Sequence, residues 1–196
     1  MKILYRIIIC ILIIIAVGIG TVIIFSNKIN YAILVSDYHN GYVQVDYIYD
    51  VTTLESIVGY SDYVFVGLVK DYKGNISNTN SGLPDSIYSI EVIKNIKGSL
   101  ILNTEIELIK SGGISGFPFH KSTIAGDIMP KKEGYYIFSV VARSSGKITA
   151  GTPNSTVKIE NIDNYQEDIQ YTNFVNAYAN QVIYTRERYK STYDNE

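Results

Sequence analysis

Tryptophan is absent from the 196 residues, proline occurs four times and cysteine once. The single cysteine, Cys10, sits inside an apolar run near the amino terminus, so everything after it folds without disulfides. That excludes the cystine-stapled scaffolds of small secreted domains, and the outer chain must rely on an ordinary apolar core. Basic runs are missing too. Beyond Lys2 and Arg6, 15 basic residues stand against 19 acidic ones, which removes the electrostatic footprint expected for nucleic acid. There is no glycine-rich phosphate fingerprint and no calcium loop of alternating acids. His39 and His120 are far apart, so a metal site built from them with Asp37 or Asp127 has no ligand spacing behind it. No cofactor is expected.

What is present begins with "IIICILIIIAVGIGTVIIF", Ile7 to Phe25, a run of 19 residues without a charge. As a helix rising about 1.5 Å per residue it spans roughly 28 Å, close to the hydrocarbon thickness of a bilayer. Lys2, Arg6 and the terminal amine precede it and only Lys28 follows closely. This asymmetry leaves residues 1–6 as a cytoplasmic tail, makes 7–25 a single-pass transmembrane anchor and puts the chain from residue 30 onward outside. A cleaved signal peptide is the rival reading, with Gly18-Ile19-Gly20 as its small-x-small site, but "TVIIF" prolongs the apolar run beyond that site. Lipidation at Cys10 is disfavoured by bulky Ile9 before it. An external domain without cysteine, attached to such an anchor, suits a bacterial cell membrane.

Beyond the anchor, residues 26–50 read as a juxtamembrane segment with an alternating strand at 42–49, "YVQVDYIY". "TTLESIVGYSD" reads as a short helix capped by Thr52 or Thr53 and closed by Gly59, packing through Leu54, Ile57 and Val58. Five strands follow within residues 51–164: Tyr63 to Lys70, "SIYSIEVIKNIKG", "TEIELIK", "YYIFSVVA", and a fifth in "KITAGTPNSTVKIE", broken at Gly151 to Asn154. Turn signals at Lys97-Gly98, Glu133-Gly134 and Ser145-Gly146 make the domain antiparallel rather than doubly wound. Residues 165–190 read as an amphipathic helix packed on the strands through Tyr171, Phe174, Val175, Tyr178 and Val182. Residues 191–196 form a tail.

The expected fold class is therefore mainly β with flanking helices (α+β). A small closed antiparallel barrel follows one transmembrane helix and precedes a C-terminal helix. Closure removes the two exposed edges of a short sheet and demands strong coiling. Gly67, in the middle of "SDYVFVGLVKDY", is then either the bend of the first strand or the space into which a neighbouring ring fits. "SDYVFVGLV" and "YSIEVIKNIKG", in this order with the helices around them, resemble bacterial secreted domains with an OB-like barrel. These are related in shape to netrin-like and metalloproteinase-tissue-inhibitor domains, and the likeness covers roughly residues 51–190. The resemblance implies a binding module more than an enzyme. Those inhibitors reach the metal through an amino-terminal cysteine that this outer domain lacks, so protease inhibition is not carried over.

The longest stretch without a strand pattern is residues 111–134. Within it "GFPFH" brings Phe117, Phe119 and His120 together as a candidate partner-binding loop, or as a plug for the open barrel end. "AGDIMP" is similar to the catalytic segment of bacterial signal peptidases, but Ile128 occupies the position where that chemistry needs serine. The expected role is non-catalytic: binding a protein, peptide or envelope polymer at the membrane surface, without nucleic acid. An envelope hydrolase and an accessory subunit, whose Gly18 and Gly20 allow close helix approach, are the alternatives.

Overall fold

A computed structural model of the chain describes residues 2–36, 41–76, 82–115, 120–160 and 163–195. The protein is α+β, with one long apolar helix at the amino terminus and a β core flanked by two shorter helices. Helix α1 (Lys2–Leu34) carries Ile14, Val22 and Phe25 each more than two-thirds exposed, and it is long and apolar enough to cross a membrane. It does not stop where the apolar run ends at residue 25. The helix continues nine residues further, Tyr31 and Ile33 pack against the core, and Leu34 is completely buried within it. The strand expected at 42–49 is shorter than the alternation suggests. Only β1 (Gly41–Val43) is paired, because Tyr47 and Tyr49 turn onto the domain instead of alternating across a ladder.

Asp50 accepts from both the backbone N–H and the hydroxyl of Thr52, and this local turn leads into α2 (Leu54–Tyr60). Thr53 stands at the N-cap in extended conformation without a side-chain cap bond. Gly59 lies inside α2 rather than closing it. A Cβ there would come within 1.8 Å of the Val182 carbonyl oxygen, so glycine permits a backbone crossing over the helix.

The strands β2 (Tyr63–Ile76), β3 (Asp85–Lys97) and β4 (Glu105–Ser111) form an antiparallel meander. β4 pairs in parallel with β8 (Ile148–Ala150), and β8 pairs antiparallel with β7 (Tyr135–Ala142). β7 in turn pairs with β2, from Tyr63↔Val140 to Leu68↔Tyr135, so the hydrogen-bonded path returns to its starting strand. The other edge of β7 is shared by β8 and β9 (Thr156–Ile159). These are the two pieces of the interrupted fifth strand, separated by a turn in which Ser155 N donates to Thr152 O.

Both faces of β2 and β7 are buried, which explains their nearly continuous apolar sequence. Phe65, Val69, Phe138 and Val140 face an inner core with Tyr88, Ile90 and Leu108, while Val64, Val66 and Ile137 face a second core with Val58 of α2 and with Phe174 and Ala177. Gly67 serves two needs at once. The register of β2 against β3 shifts between Val66 and Gly67, and a Cβ would lie 2.5 Å from Ile90 Cγ2 and 3.2 Å from Phe138 Cδ2. The strand bends here, and the space is already filled by its neighbours.

Two expectations need correction. Residues 111–134 are not free of strands: β5 (Gly113–Ser115) and β6 (His120–Ile124) pair antiparallel, and β1 adds to β6 in parallel. Their sequences lack a period of two because polar residues are taken inward. Lys121 is buried and donates to Ser36 O at 2.7 Å.

The helix expected at 165–190 is also shorter. A 3₁₀ turn (Tyr165–Glu167) leads into α3 (Ile169–Ala179), where Asp168 caps Gln170 N, and residues 181–195 then run as an extended strap. α3 buries Phe174 and Ala177, while Val175 and Tyr178 are exposed. β-branched Val182, Ile183 and Thr185 weaken helix propagation beyond Ala179. Tertiary contacts then hold the strap open. Val182 N donates to Glu55 O, Arg186 Nη2 donates to Tyr60 O at 2.7 Å, and Arg188 Nη2 donates to Gly59 O at 2.8 Å. Arg186 and Arg188 thus complement the C-terminus of α2.

Candidate functional site

The tyrosines of the segment after β1 build one wall of a cleft of about 340 Å³. Tyr49 stacks on Tyr60 with ring centroids 4.0 Å apart, and Tyr184 meets both rings edge-on. The Arg186 guanidinium lies 4.7 Å from the Tyr60 centroid, and Ser56 hydrogen-bonds the Tyr184 hydroxyl. Such offset and edge-on ring pairs with a cation over one face are rigid as well as cohesive. Tyr49 OH reaches Thr152 Oγ1 at 3.3 Å, which joins this wall to the turn between β8 and β9.

The opposite wall is polar. Ser139 of β7, Thr149 of β8, Ser111 at the end of β4 and exposed Arg143 line it. Ser139 Oγ and Tyr47 OH are buried atoms without a hydrogen-bond partner among the described residues. Buried hydroxyls are nearly always satisfied, so the two orphans set this cleft apart as a candidate site. The Arg143 guanidinium forms no ion pair among the described residues.

Near Tyr47 lies a completely buried ion pair. Lys110, from the inward-facing side of β4, contacts the Asp127 carboxylate, and its ammonium also lies 3.3 Å from Ser155 Oγ. Asp127 additionally accepts from Ile128 N at 2.9 Å. Burial pulls the Lys110 ammonium below its ordinary pKa and raises the Asp127 carboxyl, while their mutual attraction opposes both shifts. A lysine beside a serine is a pattern for nucleophile activation. Here, however, Ser155 is buried and donates to Thr152 O at 2.6 Å, so its hydroxyl is committed to the turn.

Of the candidate loop residues only His120 is among the described residues. His120 opens β6 opposite Ser115 and is exposed, while Phe117 and Phe119 lie outside the described residues, as do His39 and Asp37. Asp127 is engaged by Lys110 rather than by His120, and no group of three or more His, Cys, Asp or Glu converges among the described residues. Sequence reasoning missed the cleft. For the buried ion pair the available signal was Lys110, which falls on the same strand parity as inward Ile106 and Leu108.

The tyrosines also set a pH response. Burial, the largest cause for each, pushes the Tyr47 and Tyr63 phenols up to about 12; it also raises Tyr72, and it raises Tyr88 well above the ordinary value of 10.0. These groups keep their protons in the fold after the unfolded chain has lost them. The stability they contribute is complete below pH 10 and disappears as pH rises through 12. With no tryptophan, phenolate absorbance reports this directly. Exposed tyrosines are expected to titrate first, followed by a cooperative step that coincides with loss of the β circular-dichroism signal. A single broad titration of all 18 tyrosines near pH 10 would show the buried set to be accessible. Compared with known proteins, the chain matches no family model and no curated protein sequence.

Proposed function

We propose that this is a single-pass membrane protein of a bacterial envelope whose external domain is an OB-like barrel acting as a non-catalytic binding module. Three features support the architecture: the apolar α1 with basic residues in its first turns before the apolar run, the ring of pairings β2–β3–β4–β8–β7–β2, and the parallel pairing between β4 and β8. The observation that carries the functional reading is the cleft beneath Tyr47, Tyr49 and Tyr60. A rigid aromatic wall supplies contact area at low entropic cost, and orphaned hydroxyls with an unpaired guanidinium supply direction. The occupant that fits is an extended peptide or envelope polymer carrying an acidic group, bound against Arg143.

The test compares full-length protein with Ser139→Ala and Arg143→Ala variants for binding to acidic peptides and to isolated cell-wall polymer. Removing an unsatisfied buried hydroxyl leaves stability nearly unchanged, so Ser139→Ala isolates the site from the fold. Each variant is expected to weaken binding by about tenfold. Unchanged affinity in both, or no binding by the unaltered protein, overturns the reading.

A further inference from the structure

A second cleft, of about 340 Å³, lies where α1 leaves the apolar band and meets the wall of β2. Its helical side is Ile24, Asn27, Lys28 and Tyr31, spaced i, i+3, i+4 and i+7 on one face; its other side is Asp71, Tyr72 and Lys132. We propose that this angle binds the headgroup of an anionic phospholipid, an inference that rests on α1 spanning the membrane.

Depth is the first argument. Exposed Ile24 and Phe25 end the apolar band, and Lys28 stands one turn beyond Ile24. That turn rises about 6 Å, and the headgroup layer is roughly 5–8 Å thick, so the ammonium reaches the level of lipid phosphates. Charge is the second. Asp71 is shared by Lys132 at 3.3 Å and Lys73 at 3.7 Å, whereas Lys28 forms no ion pair among the described residues. Three cations around one carboxylate leave a positive excess facing the lipid.

Chemistry along the cleft is the third argument. Tyr31 and Tyr72 pack with ring centroids 5.5 Å apart, and Lys132 N donates to the Tyr31 hydroxyl. Amphipathic rings of this kind are favoured at membrane interfaces. Asn27 Nδ2 reaches Lys73 O, which ties the helix to β2 on the same side. Ile24 offers an apolar path for an acyl chain, a contact that a free phosphate ion would not use. The lipid would bind as a wedge, with its phosphate between Lys28 and Lys132 and its chain along α1.

The experiment uses full-length protein in detergent micelles doped with phosphatidylglycerol and phosphatidylcholine, with retained lipid counted by native mass spectrometry. The unaltered protein is expected to retain the anionic lipid preferentially, and Lys28→Gln with Lys132→Gln to lose about fivefold per lysine. Lys94→Gln with Lys147→Gln, neither of which lines the cleft, serves as the control and should retain the preference. Equal retention of both lipids, an unchanged preference in the Lys28/Lys132 variant, or displacement by excess inorganic phosphate overturns the lipid site. Carbonate washing of membranes separates the two readings. Release of the unaltered protein sinks the anchor and the site together, whereas retention without lipid preference sinks the site alone.

Discussion

Asp127→Ala is expected to lower the unfolding free energy of the full-length protein in detergent by about 3–5 kcal/mol, because it strands the Lys110 ammonium inside the domain. Both side chains of this pair are essentially without solvent exposure. Taking two charges from water is expensive, and only their mutual contact, together with Ser155 and the Ile128 amide, offsets that cost. Removing one partner leaves the other with its full desolvation penalty. Removing both does not. Lys110→Met combined with Asp127→Leu is expected to recover most of the loss, since an apolar pair needs no compensation. Thermal unfolding followed by circular dichroism, with Lys110→Met, Asp127→Leu and the two combined, completes the cycle. A cost of less than about 1 kcal/mol for Asp127→Ala would mean that the pair is solvated rather than buried.

The second large effect belongs to Asp62, whose carboxylate joins three segments. Oδ1 accepts from Arg186 Nη2 at 2.6 Å and Arg188 Nη1 at 2.9 Å, and Oδ2 accepts from Ala142 N at 2.9 Å. The strap is thus tied to the start of β2 and the end of β7. Asp62→Ala is expected to cost about 2–3 kcal/mol, less than the buried pair because Arg188 remains partly in water. Its clearest readout is local. Trypsin should cleave at Arg186, Arg188 and Lys190 well before the rest of the domain, since the strap loses its anchor while Tyr63, Ser99 and Asp194 still hold the far end. Global unfolding without early cleavage there would mean that the strap is part of the cooperative core rather than an attachment.

How much of this was legible in the amino-acid sequence differs from element to element. β7 was readable at both ends because "YYIFSVVA" is apolar on two faces, and both faces are covered. The broken fifth strand was readable because Thr152 to Asn154 carries turn residues between two short alternating pieces. β5 and β6 were not, since glycine and buried polar groups erase the alternation that marks a strand. Lys110 could be placed inward by parity, but nothing in its neighbourhood identified Asp127, which comes from a loop beyond β6. The cleft was equally hidden. Its walls come from Tyr49, Tyr60 and Thr152, and proximity between such positions is a product of tertiary packing rather than of pattern.

Legible from the amino-acid sequence alone were the apolar α1, the short α2, the strands of the six-stranded sheet and the acidic, disulfide-free character of the chain after the apolar run. Each of these follows from local periodicity or composition, because water and lipid act on every residue separately. Only the tertiary structure decided that α1 would carry Leu34 into the core, that α3 would end at Ala179, and that the cations after it would cap α2. The first follows from apolar packing; the other two depend on helix-end carbonyls and a carboxylate more than a hundred positions away, whose demand for hydrogen bonds outweighs local helix propensity.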